Sequence, residues 1–227
     1  MKIALISDIH SNLFYLNRVL DEIEKEKVDE IYCLGDLVGY YDKPDEVIKL
    51  IKKKGIKCIK GNHDKYLLGE LTYEEKKEEI YKIKLQRELL SNESLYFLRT
   101  LKDEIIIEVN NKKIYMTHSL PNDPETYLYN LQGIDLNFIR DFDYYFFGHT
   151  HIPMLTYHYG ICFLNPGSVG QPRDYTTYST YGIVNFEKGE IKLKQVKQDV
   201  EAYVQQIKGY CDERLIEILI RRGFKDE

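Results

Sequence analysis

A chain of 227 residues suits one domain, or one domain carrying a small insert, and its 43% hydrophobic content is enough for a sizeable core. With 32 basic against 37 acidic residues the formal net charge is −5, which excludes a general attraction to nucleic acid or to an anionic membrane. No stretch approaches the roughly 18 apolar residues of a membrane span, so no membrane partner is expected.

The opening run MKIALISDIHS has one lysine, a short apolar stretch, and then an aspartate and a histidine, which is not the pattern of a signal peptide. Residues 2–6 form the apolar part and predict a buried strand ending at Ser7-Asp8. Ser11-Asn12 then reads as a helix start, with Leu13, Leu16, Val19, Leu20 and Ile23 at helical spacing. A second strand is predicted at 31–34, a helix after Pro44 through Val47, Ile48 and Ile51, and a third strand at 56–59. Strands alternating with amphipathic helices argue for βαβ units and a mainly parallel sheet, in which active groups collect at the C-terminal ends of strands. Asp8, Asp36 and Asn62 each follow such a strand.

Residues 66–101 break the pattern. The stretch is charged and nearly free of glycine and proline, and it predicts a helical insert or cap. The run at 104–109, Asn110-Asn111, and the run at 113–117 then form a hairpin signal. Further strands are expected at 144–147, 154–159, 161–164, 181–186 and 190–196, with Glu187-Lys188-Gly189 turning between the last two. The tail, 199–222, predicts a closing helix or pair of helices. The whole reads as a single α/β domain over 1–227, with two sheets face to face.

Cys33, Cys58, Cys162 and Cys211 have no CxxC spacing, and three of them sit in apolar strand-like runs. They are expected to be small buried residues in a reducing cytoplasm. The 20 tyrosines, with no tryptophan, are first a composition bias and second a candidate base-stacking surface.

Of the six histidines, His10, His63, His118, His149 and His151 lie where a strand is predicted to end or a glycine turn begins. His158 sits inside a strand-like run and reads as structural. One histidine on a strand is usually a packing residue, so the argument rests on how the others are grouped. Asp8 and His10 are two apart, and at a strand end such residues project to one side, where carboxylate and imidazole can share a cation. His149 and His151 repeat the spacing in Gly-His-Thr-His. Gly35-Asp36-Leu37-Val38-Gly39 sets a carboxylate between glycines that allow a tight turn and close approach to a metal. Gly61-Asn62-His63-Asp64 offers an amide oxygen beside an imidazole. Such a nitrogen and oxygen set fits Mn, Fe, Co, Ni or Zn better than calcium.

In order and across most of the chain, Asp8-Ile9-His10, Gly35 to Gly39, Gly61 to Asp64, the lone His118 and Gly148 to His151 resemble the motifs of the calcineurin-like metallophosphoesterases. The run 165–173 is similar to the small prokaryotic, phosphodiesterase-like branch, although that branch usually has glycine after the lone histidine where this chain has Ser119. The departure bears on loop shape and substrate fit. The resemblance implies a four-layer αββα sandwich of two mixed sheets flanked by helices. It implies one metal held by Asp8, His10, His151 and a bridging Asp36, and a second held by Asp36, Asn62, His118 and His149. Two such divalent ions, about 3.5–4 Å apart, would activate a bridging hydroxide for in-line attack on phosphorus. His63 would be the general acid or transition-state stabiliser, with Asp64 orienting it.

Competing roles stand beside these. Asp64 is equally a helix N-cap. Arg173 fits a substrate phosphate or a surface salt bridge. Asn165 and Gly167 read as loop-shaping. Tyr127, Tyr129, Tyr175 and Tyr178 are candidates for a nucleobase pocket, with core or surface packing favoured. The leading expectation is hydrolysis of a small phosphodiester or phosphomonoester, nucleotide-like in type. A nuclease or a protein phosphatase on the same cage is the enzymatic alternative, and the net charge does not favour a nucleic-acid substrate. A non-catalytic scaffold would be expected to have lost ligands that this chain keeps. Homo-oligomerisation is left open.

Overall fold

The computed structural model describes residues 1–131 and 134–223. In chain order it runs β1 (Lys2–Ile6), α1 (Leu13–Glu26), β2 (Glu30–Cys33), α2 (Pro44–Lys53), β3 (Lys57–Cys58) and α3 (Asn62–Leu68). A 3-10 turn at Glu75–Lys77 leads to α4 (Glu78–Tyr81), α5 (Ile83–Leu89) and α6 (Asn92–Thr100). Then come β4 (Glu104–Val109), β5 (Lys112–Thr117), α7 (Leu136–Ile139), β6 (Tyr144–Phe146), β7 (Met154–His158) and β8 (Ile161–Asn165). The chain ends with β9 (Tyr178–Asn185), β10 (Glu190–Lys197), α8 (Val200–Ile207) and α9 (Glu213–Gly223).

Local chemistry sets several of these boundaries. The Asn12 side chain accepts from the Tyr15 amide at 2.9 Å and so caps α1. Helix α2 opens on Pro44 with Asp45 and Glu46 in its first turn and closes on Lys52 and Lys53, the charge order a helix dipole favours. Asn110 and Asn111, both at positive φ (52° and 61°), make the tight turn between β4 and β5.

The strands form two five-stranded sheets, ordered β10-β9-β1-β2-β3 and β4-β5-β6-β8-β7. Both are mixed. In the first, β1, β2 and β3 pair in parallel, while β9 pairs antiparallel to β1 and β10 pairs antiparallel to β9 as the edge of a hairpin. In the second, β5, β6 and β8 are parallel between antiparallel edges β4 and β7. The expectation of a mainly parallel sheet therefore holds only for the βαβ part of the chain.

Alternation along the strands sorts side chains into three apolar layers. Ile3 and Leu5 of β1 face Met116, Phe146 and Leu164 of the other sheet, and Ala4 and Ile6 face Leu16 and Val19 of α1 with Val47, Ile48 and Ile51 of α2. Tyr115, Tyr145 and Phe163 pack on the far face of the second sheet against Ile139 of α7. Helices, sheet, sheet and a thin cover of α7 with its flanking loops make an α/β sandwich. The C-terminal ends of β1, β2, β3, β5 and β6 lead into the segments carrying Asp8, Asp36, Asn62, His118 and His149.

Candidate metal centre

The loops after β1 and β2 are stitched together by their backbones. Asp8 donates its N–H to Gly35 O at 3.0 Å, and Ile9 and His10 donate to Asp36 O at 2.9 and 3.0 Å. Asp8, His10, Asp36, His149 and His151 all have positive φ, at 54°, 51°, 56°, 64° and 59°. That region costs a non-glycine residue on the order of 1 kcal/mol or more and persists only where surrounding contacts impose it. The Asp8/His10 pair is therefore joined by left-handed turns beyond the strand end, not by strand alternation as the spacing had suggested. The close approach of Gly61 helps this packing fit, since a β-carbon there would stand 2.1 Å from Asp36 Oδ1.

Two clusters of donor atoms result, each within 4.8 Å internally: Asp8, His10, Asp36 and His151, and Asp36, His118 and His149. All of these residues are buried. Asp36 belongs to both, with Oδ2 at 3.5 Å from the Nε2 of His10 and of His118. Asn62 joins the second cluster, its Oδ1 at 3.0 Å from His118 Nε2.

The imidazoles are oriented by the backbone. Nδ1 of His10, His118 and His151 faces the carbonyls of Val38, Leu34 and Gln171 at 2.9, 2.7 and 2.7 Å, and His149 Nε2 faces Glu125 O at 2.9 Å. A nitrogen against a carbonyl must carry the proton, so each neutral ring turns a lone pair inward. His10 Nε2 and His151 Nε2 then oppose one another at 3.1 Å, lone pair to lone pair, and His118 Nε2, in the neutral form of its ring, opposes the Asn62 carbonyl oxygen. The buried Asp8 Oδ1 has no hydrogen-bond partner among the described residues. A cation between such atoms relieves all three conflicts, so the residues fit divalent metal ions, and their nitrogen and oxygen atoms suit first-row transition metals.

Electrostatics follow the same geometry. Burial pushes the Asp8 carboxyl up to about 7, with the Asp36 charge adding to it. Burial opposes ionisation of Asp36 as well, but His118 and His63 hold it well below the usual carboxylate range. Burial disfavours the His118 imidazolium, yet Asp36 outweighs it and raises that group to about 9. Burial lowers His10 to about 4 and His149 to about 3.

Asp64, at the start of α3, turns its carboxylate to backbone amides. Oδ2 accepts from Asp36 N and Gly61 N, both at 2.9 Å, and Oδ1 accepts from Leu37 N and Val38 N at 3.0 and 3.3 Å. These contacts cap α3 and clamp the Asp36 loop, and they do not reach the His63 ring. His63 instead packs between Tyr40, Tyr66, Tyr81 and His10, with ring centroids 4.4–5.6 Å away, and its buried Nδ1 has no partner among the described residues. Its amide donates to Asp36 Oδ1 at 2.8 Å. Arg173 reaches the rim, Nη2 at 3.3 Å from the Tyr40 hydroxyl and Nη1 at 3.4 Å from that of Tyr127.

Other contributors carry no motif. Gln86 of α5, fully buried, accepts from Ser11 Oγ at 2.9 Å and Gly39 N at 2.7 Å and donates to Tyr41 O at 2.6 Å. Ser168 Oγ donates to Asp8 O at 2.7 Å, and Asn165 Nδ2 to Gly148 O at 2.7 Å, so the 165–173 run braces Asp8 and the Gly-His-Thr-His turn. His158 lies on β7 against Tyr159, outside both clusters.

The family model of the calcineurin-like phosphoesterase superfamily domain matches residues 1–189. The chain belongs to that superfamily. It is similar to an uncharacterized protein of Methanocaldococcus jannaschii, 36% identical over 235 residues, with 96% of each chain covered. A solved metallophosphoesterase from Sphaerobacter thermophilus superposes with a TM-score of 0.83 at 28% identity, covering 98% of this chain and 99% of that one. A hypothetical protein from Pyrococcus horikoshii OT3 shares the fold, with a TM-score of 0.84 at 22% identity over 96% of this chain and 97% of that one.

Proposed function

We propose that the protein is a dinuclear metal-dependent phosphoester hydrolase acting on a small phosphodiester, or on a phosphomonoester or nucleotide-type ester. The observation that carries this reading is the Asp36 carboxylate, whose Oδ2 faces one imidazole from each cluster at the same 3.5 Å. A carboxylate so shared is what a two-metal site needs. Asp8, His10, Asp36 and His151 would hold one ion, and Asp36, Asn62, His118 and His149 the other, with Mn, Ni, Fe, Co and Zn the fitting metals. Two such ions, when bound, supply positive charge for phosphoryl oxygens and acidify the attacking water.

The remaining roles fall to side chains around the clusters. No carboxylate ion-pairs with Arg173 among the described residues. Held by the Tyr40 and Tyr127 hydroxyls and by Gln171 Oε1, its fork keeps its charge for a substrate phosphate. Burial holds the His63 imidazolium well below its usual range, which supports a neutral ring giving an N–H to the departing or phosphoryl oxygen. Asp64 acts on the reaction by fixing the Asp36 loop. Four buried, free cysteines fit a reducing cytoplasm.

Hydrolysis of bis(p-nitrophenyl) phosphate in the presence of Mn or Ni tests the reading. Activity should appear with metal and vanish in Asp36→Asn and His63→Ala. Protein that binds two ions yet cleaves neither diester nor monoester substrates would overturn it.

A further inference from the structure

We propose that Tyr127 and Tyr129 form a stacking platform for the base of a nucleotide-type substrate, beside the phosphate-binding centre. The proposal rests on the phosphoesterase reading for the phosphate end and adds a recognition element for the other end.

The segment alternates in direction. Leu128 is buried at 2% exposure, and its neighbours Tyr127 and Tyr129 point outward at 43% and 55%. Their rings lie parallel, 3° apart in tilt and 5.4 Å between centroids. Tyr127 stacks in turn on the imidazole of His149 at 4.2 Å and 23°. An aromatic column thus runs outward from a residue of the second cluster. Arg173 meets the same ring twice, with its guanidinium carbon 5.9 Å from the Tyr127 centroid and Nη1 near the hydroxyl. Phosphate-directed charge and an exposed π-face are therefore adjacent.

The platform is held in place by its own backbone. His149 Nε2 donates to Glu125 O, Ser119 Oγ donates to Thr126 O, and Tyr66 OH meets the Glu125 carboxylate. The Asp123 carboxylate accepts from the amides of Glu125 and Thr126 at 3.0 and 3.2 Å. Tyr129 has no other ring neighbour among the described residues, and its 55% exposure leaves ring surface accessible to a ligand. Bases stack on such faces with little regard to their identity. Tyr96, Tyr157, Tyr159 and Tyr175 are exposed elsewhere, and a bare pair would mean little. Contact with both His149 and Arg173 distinguishes this one.

Isothermal titration of zinc-loaded protein with AMP and with ribose 5-phosphate isolates the base, because the two share a phosphate on a ribose. AMP should bind about tenfold tighter than ribose 5-phosphate, as one base–aromatic stack allows. Tyr129→Ala should abolish that preference, Tyr129→Phe should keep it, and neither should change metal content or the ribose 5-phosphate affinity. Equal or undetectable binding of the two compounds to the wild type, or an AMP preference that survives Tyr129→Ala, would overturn the platform. Hydrolysis is scored separately on bis(p-nitrophenyl) phosphate. Protein that prefers AMP but hydrolyses nothing would retain the platform and lose the hydrolase reading.

Discussion

The backbone of Gly39 closes on the Nδ1 edge of the His63 ring: a β-carbon at Gly39 would stand 2.4 Å from His63 Nδ1 and 3.2 Å from its Cγ. Gly39 also has φ +95°, a conformation that side chains resist. The second glycine of the Gly-Asp-Leu-Val-Gly segment therefore sets where the His63 imidazole can sit, while Tyr40, Tyr66 and Tyr81 close the other sides.

Gly39→Ala should displace the His63 ring without removing any residue of the two clusters. The expected outcome is a fall in kcat of about 100-fold, the scale of a misplaced catalytic group, with both ions retained. Metal analysis beside steady-state kinetics on bis(p-nitrophenyl) phosphate checks this. Unchanged kcat would show that His63 placement does not limit the reaction.

Asp64→Ala should be costly to the fold, because four buried amides, those of Asp36, Leu37, Val38 and Gly61, lose their acceptor together. One unsatisfied buried donor costs about 1–3 kcal/mol, so a loss of at least about 3 kcal/mol is expected. Asp64→Asn keeps one acceptor oxygen and should lose less. Urea denaturation of both variants gives the comparison, and equal midpoints for Ala and Asn would refute the clamp.

What could be read from the residues alone follows from how the site is built. Asp8, His10, Asp36, Asn62, His118, His149 and His151 lie in short segments with glycine or fixed spacing, and the strand ends bring those segments to one place. The same reading misjudged why Asp8 and His10 meet, since positive φ at both is not visible in their spacing. Gln86 and Tyr81 were missed for a different reason. They sit in a charged helical run with no motif, and their importance depends on α5 packing over the Ser11 hydroxyl and the Gly39 amide and on Tyr81 of α4 meeting the His63 ring. No periodicity signals which face of an insert meets a distant loop.

The helical stretch from α4 to α6 is also tied to α2 by Asp45. Its Oδ1 accepts from the Ser91 amide and hydroxyl at 3.0 and 2.8 Å, at the N-cap of α6, and Lys49 lies 2.6 Å from Oδ2. Burial opposes the charge, but Lys49, Ser94 and Ser91 outweigh it and hold the carboxylate below its usual range. A depressed folded pKa means stability that is present above the unfolded value of about 4 and lost as pH falls below it. Asp45→Asn should therefore cost about 1–2 kcal/mol at pH 7 and less at pH 3, the loss completing only as pH falls through the depressed folded value. Urea midpoints of wild type and variant at the two pH values decide it. The same gap at both would exclude an ionic contribution.

The shared position of Asp36 makes a prediction about metal stoichiometry that no other residue makes. Its Oδ2 faces His10 in one cluster and His118 in the other, and its Oδ1 is already engaged by the His63 amide, so Oδ2 is the Asp36 oxygen that serves both clusters. Asp36→Asn removes the one negative charge common to both and should strip both ions on dialysis. His151 stands apart from the second cluster, with Nδ1 held by Gln171 O and Nε2 at 3.4 Å from Asp8 Oδ1, so His151→Ala should lose one ion and keep the other. Elemental analysis of dialysed protein distinguishes the cases. Two ions retained in Asp36→Asn would mean that the carboxylate is not shared, and both lost in His151→Ala would mean that the clusters do not fill independently.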